Sequence, residues 1–192
     1  MIGAGLPQVR GRMGKAKSYA ERLFEFTEIS ALSREDAKLA IYKPAKDEGV
    51  EIEDPALDAI ASQTQCYPYF LQEWGKHLWD VAECSPITIS SVDVASRQAI
   101  AGLDESFFRV RFDRLIPTQK SICGRWRNSA QGPHRSGDIA NVLERTVTSL
   151  APTRSQLINN GMIWSPSHGD TAFTVPMFDE FILRIMPGEG WR

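Results

Sequence analysis

The residues that first suggest chemistry lie near the amino terminus, where glycines alternate with basic side chains. A phosphate-binding loop needs a glycine, four further residues and then Gly-Lys-Ser/Thr, so that backbone N–H groups surround the phosphates. The pair Gly14-Lys15 is present, but Val9 stands where the first glycine is needed and Ala16 where the magnesium-binding hydroxyl is needed. The spacing therefore excludes a phosphate loop, and we interpret this stretch as a flexible basic loop.

Histidine and cysteine are too sparse and too widely spaced to predict a catalytic or metal site. The histidines are His77, His134 and His168. The cysteines are Cys66, Cys84 and Cys123. An odd number of distant cysteines forms neither a disulfide framework nor a zinc pattern. We therefore predict no hydrolytic triad and no metal site, with free thiols in a reducing cytosol.

Arginine and amide side chains in the carboxyl-terminal third could contact DNA. Arginine pairs with guanine, and asparagine or glutamine pairs with adenine, in the commonest base contacts. A predicted helix over Pro152–Asn160 would enter the major groove as a recognition helix. The candidate DNA-binding residues are Arg135, Thr153, Arg154, Gln156, Asn159 and His168. A single arginine on this helix leaves a second interpretation open, in which the same domain docks against a protein.

The elements around these candidates follow the order of a winged helix-turn-helix. Apolar residues recur at helical spacing in three segments, and a strand–turn–strand pattern follows them. A closing helix is predicted after the hairpin. The predicted elements cover residues 117–130, 135–143, 152–160, 162–175 and 177–185.

An α-helical bundle is predicted to precede this domain, over residues 33–112. Ser33 followed by Asp36 forms a capping box, and Ser90 followed by Asp93 repeats the signal for a later helix. Each predicted helix carries an apolar stripe that could face a common core. The predicted helices run from Ser33 to about Gly49, from Asp54 to about Gln65, from Pro68 to Glu83 and from Val92 to Phe112.

Charge is unevenly distributed along the 192 residues, although the formal net charge is only −2. Residues 21–96 carry 15 acidic and 6 basic residues, whereas residues 97–154 carry 10 basic and 5 acidic ones. An acidic block followed by a basic block indicates two modules with different partners. A hydrophobic fraction of 42% is sufficient for folded cores and excludes a chain that is disordered throughout.

No apolar run approaches the roughly 20 residues that a membrane-spanning helix needs. The first residues, Met1–Pro7, lack the charged region and the apolar stretch of a signal peptide. We therefore expect a cytoplasmic protein with no membrane partner. The same residues are typical of a buried strand that ends in a glycine-containing loop, so we expect further sequence to precede them.

Taken in order, the segments resemble the carboxyl-terminal half of bacterial and archaeal AAA+/STAND-type ATPases, in a branch related to the origin-recognition proteins. In that family a phosphate-loop core is followed by a helical lid and then a winged helix. The resemblance covers nearly the whole chain. The segments that carry it are Gly3–Gln8, Tyr19–Phe24, Leu32–Ala37, Tyr67–Gln72, Leu103–Arg111, Gly132–Ala140 and Phe173–Pro176.

The resemblance implies a mainly α fold, with a helical AAA+ lid bundle followed by a winged helix-turn-helix domain with a small β-hairpin. It implies a core remnant and connector over residues 1–32, a lid over 33–112, a winged helix over 113–187 and a tail over 188–192. In the full-length parent, ATP with Mg²⁺ would bind between core and lid.

Three residues follow from the resemblance as nucleotide contacts. Arg22 occupies the position where related ATPases place an arginine that faces a neighbour's nucleotide. Tyr67 and Pro68 occupy the lid turn that packs on adenine or ribose. Cys66 stands where the pattern usually has glycine, and the lid sensor arginine of many AAA+ proteins has no clear equivalent after Pro68.

We therefore expect the carboxyl-terminal part of an ATP-binding ATPase, whose winged helix engages DNA or a protein partner. Self-association would involve the ATPase core. Because this segment has neither a phosphate loop nor the acidic magnesium ligands, we predict that it neither hydrolyses ATP nor binds it tightly alone. The alternative is a stand-alone winged-helix DNA-binding regulator without ATPase activity.

Overall fold

The computed structural model describes residue 5, residues 9–16, residue 19, residues 23–27, residues 29–126 and residues 132–187. The chain divides into two compact units. The first, called the bundle unit, comprises residues 30–114. The second, called the winged unit, comprises residues 115–192 together with residues 1–29.

The stretch interpreted as a flexible basic loop is helical over Val9–Ala16, which we call α1. The interpretation as a loop is therefore wrong for these residues. Glycines weaken helices, but arginine, methionine, lysine and alanine all favour them. The helix formers in this segment outweigh its two glycines, Gly11 and Gly14.

The bundle unit consists of helices joined by short turns. Its elements are α2 (Arg34–Asp47), α3 (Asp54–Gln63), α4 (Pro68–Val81), α5 (Ile89–Leu103), a π-helical segment (Asp104–Phe108) and α6 (Arg109–Asp113). The most extensive packing is between α4 and α5, with α2 and α3 beside them. A parallel bridge between Ile52 and Ile87 joins the α2–α3 loop to the α4–α5 loop.

Helix starts in the bundle follow the predicted signals only in part. The Ser33 part of the capping box is confirmed, since the Ser33 hydroxyl accepts a hydrogen bond from the Asp36 amide at 3.1 Å. The Asp36 carboxylate accepts a 2.7 Å bond from the same hydroxyl. Glu53, rather than the predicted Asp54, is the N-cap of α3, and Thr88 is the N-cap of α5. Neither of these two residues caps through its side chain, so no capping signal marked the starts.

A π-helical turn changes the spacing of buried residues where α5 passes into α6. Leu103 and the buried residue that follows it, Phe108, are five positions apart, whereas an α-helix brings residues three or four apart to the same face. Both Phe107 and Phe108 thereby contact Phe70 of α4. Such π-helical turns are frequent near functional sites.

The bundle core contains a polar contact among its aromatic side chains. Trp74 is fully buried, and its indole N–H donates to Gln63 Oε1 at 3.0 Å and to Ser96 Oγ at 2.9 Å. Buried polar atoms need such partners because leaving them unpaired is costly. The contact therefore fixes α3, α4 and α5 relative to one another.

The winged unit packs a small antiparallel sheet against helices. Its elements after α1 are α7 (Pro117–Trp126), β1 (His134–Arg135), α8 (Ser136–Val142), α9 (Val147–Asn159), β2 (Ile163–Trp164), β3 (Asp170–Phe173) and α10 (Phe178–Ile185). The strand order is β1–β3–β2, and both pairs are antiparallel. Helix, strand, two helices and a hairpin form a winged helix-turn-helix, and we call the β2–β3 hairpin the wing.

Aromatic contacts anchor the wing to the helices on either side of it in sequence. Trp126 of α7 stacks on Phe173 of β3, with ring centroids 4.4 Å apart. Phe178 of α10 meets Phe173 edge-on at 5.4 Å. Leu157 of α9 is also buried in this unit. The two ring contacts of Phe173 show that the hairpin packs against the helices of the winged unit.

The predicted fold class is confirmed: the chain is mainly α, with a helical bundle followed by a small hairpin. The short strand β1 was not predicted, because two residues show no periodicity and pair only through tertiary contact with β3. The predicted start of α9 at Pro152 is wrong. The helix begins at Val147, where Thr146 caps it by accepting a bond from the Ser149 amide at 3.2 Å.

Candidate nucleotide and nucleic-acid sites

The turn between α3 and α4 precedes the predicted nucleotide contacts. Gln65 and Cys66 have φ values of 50° and 55°, in the left-handed region that glycine tolerates best. A bond from the Cys66 amide to the Ala61 carbonyl, 3.1 Å long, closes the turn. This backbone gives a physical reason for the glycine that the resemblance places at position 66.

Tyr67 and Pro68 lie together at the start of α4. Tyr67 is the N-cap and Pro68 is the first helical residue, a position where proline has no N–H to leave unsatisfied. The Tyr67 ring packs on Phe70 with centroids 4.9 Å apart and is half-buried, while Pro68 is exposed. The structure thus places both predicted residues on one accessible turn.

Pro68 also borders an apolar groove of about 570 Å³ in the bundle unit. Ile41 of α2 and Trp79 of α4 line the groove, and Trp79 is 50% exposed. Lys76 is among its few polar lining residues. Small-molecule sites span roughly 300–1,000 Å³, so the groove could take a flat apolar group. Arg22, the third predicted contact, lies outside the described residues.

The predicted recognition residues of α9 lie in different environments. Gln156 and Asn159 are exposed, and the Gln156 side chain accepts a bond from Gln119 Nε2 at 3.2 Å. Thr153 is half-buried and borders a cavity of about 180 Å³ inside the winged unit. Both amide side chains are thus exposed, and that of Gln156 is tied to α7, whereas Thr153 borders the cavity.

Arg154 is bound within the winged unit. Its Nε donates to Thr171 Oγ1 at 2.9 Å, and its Nη2 donates to Ser165 Oγ at 3.0 Å and to the Asp170 carbonyl at 2.9 Å. Thr171 is only 1% exposed. These bonds join α9 to the wing, a role that the sequence did not predict. Arg154 is therefore a positioning residue, and its predicted base contact stays a prediction.

Arg135 and His168 are brought together at the tip of the wing, although they are far apart in the sequence. Both are exposed and line a polar cavity of about 420 Å³ together with Ser136 and Ser167. The Ser136 hydroxyl and amide both donate to the Gly169 carbonyl, at 2.9 and 2.8 Å, which holds the start of α8 against the wing. An arginine guanidinium beside hydroxyl groups suits a DNA phosphate.

Opposing charges limit the positive character of the described winged unit. Arg125 lies 3.8 Å from Glu144. The carboxylate of Asp170 also borders the wing-tip cavity and accepts a hydrogen bond from the Ser167 hydroxyl. Arg145 is an exposed arginine of the same unit. Because some of its basic side chains lie close to acidic ones, contact between the described winged unit and DNA would depend on a few of its cations.

The cysteines are free thiols, as predicted. Cys123 is fully buried, and burial raises its pKa to about 12, so its thiol is protonated at neutral pH. Within the described ranges, no three His, Cys, Asp or Glu side chains cluster as metal ligands would. None of the helices in those ranges is long and apolar enough to cross a membrane.

Comparison with known proteins gives a match over part of the chain. A protein-family model described as a domain of unknown function (DUF8462) matches residues 105–182. The match begins in the π-helical segment and ends within α10. No curated protein matches the chain.

Proposed function

We propose that the bundle unit is the lid, and the winged unit the winged-helix domain, of an ATP-binding AAA+/STAND-type ATPase whose winged helix engages DNA. The observation that carries this proposal is the order of the two units combined with the exposed turn at Tyr67–Pro68. ATP with Mg²⁺ would bind between this lid and a phosphate-loop core. The chain itself contributes the lid side of that site.

The left-handed backbone before α4 supports the lid part of the proposal. It directs the chain sharply from α3 into Tyr67 and Pro68, so that a ring and an adjacent apolar surface are presented side by side. An adenine base is flat and apolar on its faces, and aromatic rings bind such faces by stacking. The groove beside Pro68 offers further apolar surface.

The arrangement of α9 and the wing supports the DNA part. In a winged helix the recognition helix enters the major groove, and side chains beyond it reach the backbone. Gln156 and Asn159 would contact base edges, while Arg135 and His168 would contact phosphate from the wing tip. Arg154 would act indirectly, by holding the wing at a fixed position relative to α9.

DNA binding can be tested on the purified chain by fluorescence anisotropy with a labelled duplex at 50–200 mM salt. The logarithm of the binding constant should fall linearly with the logarithm of the salt concentration. Arg135→Ala should reduce the slope of that line by roughly one unit, because one phosphate contact is lost. Arg97→Ala, an exposed arginine of the bundle unit, is the matched control. Salt-independent binding, or none, would refute the DNA part.

The ATPase part can be tested from the gene and then from the protein. The coding sequence before Met1 should encode, in frame, a Gly-x-x-x-x-Gly-Lys-Ser/Thr motif. The longer protein should bind ATP with Mg²⁺, and Tyr67→Ala should weaken that binding several-fold. Gln98→Ala, at an exposed position of α5, should leave it unchanged. Absence of the motif would exclude the ATPase proposal.

A stand-alone DNA-binding regulator is the second candidate. The division of the chain into two compact units fits this candidate as well as it fits the ATPase. Salt-dependent DNA binding by the chain, together with a natural start at Met1, would support the regulator. DNA binding that requires ATP and the upstream motif would support the ATPase.

A further inference from the structure

The cavity inside the winged unit combines one polar wall with walls that are otherwise apolar. Its volume is about 180 Å³, and α7, α8, α9, β2 and β3 all contribute lining residues. An engineered apolar cavity of about 150 Å³ stays dry and binds benzene, so this volume admits a molecule with one ring. The apolar walls consist mainly of six large buried side chains, those of Ile122, Trp126, Ile139, Leu150, Leu157 and Ile163.

The polar wall joins three elements through their side chains. Arg154 Nε of α9 donates to Thr171 Oγ1 of β3 at 2.9 Å, and the Thr171 hydroxyl lies 3.5 Å from Ser136 Oγ of α8. All three residues line the cavity, and Thr153 lines it as well. The cavity is therefore amphipathic, with a guanidinium and hydroxyl groups beside an apolar enclosure.

The charge of Arg154 is not neutralised by a carboxylate in the part of the chain that the structure describes. None of the ion pairs there includes Arg154. Its contact with Asp170 is to the main-chain carbonyl, at 2.9 Å, while the Asp170 carboxylate accepts a hydrogen bond from Ser167. A half-buried cation beside apolar walls favours an anion, because a low local dielectric strengthens the attraction between charges.

Arg154 also has donors left for that anion. Its hydrogen bonds to the wing use Nε and Nη2. A guanidinium has five N–H donors, and two of these belong to Nη1, which makes no hydrogen bond within the described ranges. An N–H group of a guanidinium forms a stronger hydrogen bond with a carboxylate than with a neutral acceptor.

We propose that this cavity binds a small apolar monocarboxylate of about the size of benzoate. The carboxylate pairs with Arg154 Nη1, and the hydrocarbon part lies among the six apolar side chains. A neutral hydrocarbon would leave the guanidinium without a counter-charge, whereas a second charge on the ligand would be buried against apolar walls at a large cost. The inference is independent of the proposed function, because it needs neither a nucleotide nor DNA.

The site can be tested by calorimetric titration of the full chain with benzoate and with benzamide at neutral pH. The two molecules have nearly the same shape, but only benzoate is charged. Benzoate should bind about tenfold more tightly, the size expected for hydrogen bonding between charged groups. Arg154→Met should lower the affinity for benzoate about tenfold, to that for benzamide. Arg145→Met, which removes an exposed arginine of the same unit, is the control.

Nuclear magnetic resonance of isoleucine methyl groups locates the ligand. Benzoate should shift the methyl signals of Ile139 and Ile163, which line the cavity. The signal of Ile60, which is buried in the bundle unit, should not move. Shifts at Ile60 alone, or at none of the three residues, would overturn the assignment of the site.

The comparison of the two ligands decides the outcome even if a variant does not fold. Benzoate that does not bind at millimolar concentration, or that binds no more tightly than benzamide, would overturn the proposal. 2-Naphthoate carries a second fused ring and should bind more weakly than benzoate, so equal binding would contradict a site of this volume. Circular dichroism checks the folding of each variant, and Arg154→Lys, which keeps the charge, should retain more affinity than Arg154→Met.

Discussion

The guanidinium of Arg154 donates a 2.9 Å hydrogen bond to the buried hydroxyl of Thr171, and this bond connects α9 to the wing. A second nitrogen of the same guanidinium reaches Ser165 and the Asp170 carbonyl. The Arg154 side chain therefore fixes the position of the wing relative to α9. The shape of any surface formed by both elements depends on these hydrogen bonds.

Arg154→Ala should destabilise the chain by about 2 kcal/mol, because a charged donor of several hydrogen bonds is lost. Urea unfolding monitored by tryptophan fluorescence measures the change. Arg135→Ala removes an exposed arginine of the same unit and should change the stability by less than about 0.5 kcal/mol. Equal stability of the two variants would contradict the assigned role of Arg154.

Cys66→Gly should stabilise the chain by about 1 kcal/mol, because a left-handed backbone costs roughly that much for a residue with a Cβ. The φ of Cys66 is 55°. Thermal unfolding followed by circular dichroism provides the measurement. Cys66→Ala is the control, since it removes the sulfur and keeps the Cβ. A gain in the alanine variant as large as in the glycine variant would show that the backbone is not the cause.

Ser96→Ala should cost about 1 kcal/mol of stability, the typical worth of a buried hydrogen bond. Ser96 Oγ accepts from the Trp74 indole and donates to the Val92 carbonyl at 2.7 Å. The loss should be accompanied by a shift in the fluorescence emission of Trp74 in the folded state. Ser91→Ala on the same helix is the control and should be near neutral. An unchanged unfolding midpoint for Ser96→Ala would refute this estimate.

Acid should weaken a surface ion pair between α2 and α3. Arg34 donates from Nε and Nη2 to Asp58 Oδ1, at 3.1 and 2.9 Å, and this bond holds the pKa of Asp58 below its ordinary value of 3.8. The stabilisation is therefore complete above pH 3.8 and is lost as pH falls through the lower folded-state value. Asp58→Asn should remove this contribution, so the difference in unfolding free energy between the two proteins should be constant at neutral pH and shrink below pH 3.8. A difference that stays constant down to pH 2 would contradict the assignment.

Lys38 belongs to the same ion-pair network and should respond at the other end of the pH scale. Its pKa is raised above 10.5, chiefly by the hydrogen bond to Asp54. The stabilisation is present below pH 10.5 and is lost as pH rises through the higher folded-state value. At alkaline pH, the unfolding free energy of the Lys38→Met variant should therefore decrease less with rising pH than that of the unaltered chain. Lys43→Met, at an exposed position of α2, is the control.

Local signals in the sequence predicted some boundaries and missed others. The Ser33 capping box was recognisable because the cap and its partner are three residues apart. The start of α9 was missed because Pro152, which often marks a first helical turn, lies inside the helix. The strand β1 was missed because it exists only through pairing with β3. The strand was therefore missed because it depends on tertiary pairing, whereas the start of α9 was missed although its cap, Thr146, is local.

The same distinction applies to the candidate sites. Tyr67 and Pro68 were proposed together from the family resemblance, and they share one turn because they are adjacent in the sequence. The meeting of Arg135 with His168, the bonds from Arg154 to the wing and the stacking of Tyr69 on Phe107 could not be proposed in this way. Each of these contacts joins separate elements, and no spacing along the chain encodes it.

The amino-acid sequence was sufficient for the fold class and the order of bundle and winged helix, because apolar periodicity and turn residues act over a few positions. The three-dimensional packing assigned the polar side chains their partners. Because of this packing, Arg154 donates hydrogen bonds to the wing. In the helix that follows the π-helical segment, Arg111 lies over the Phe107 ring. The physical reason is that side-chain hydrogen bonds depend on distances of about 3 Å, which only the packing of distant elements establishes.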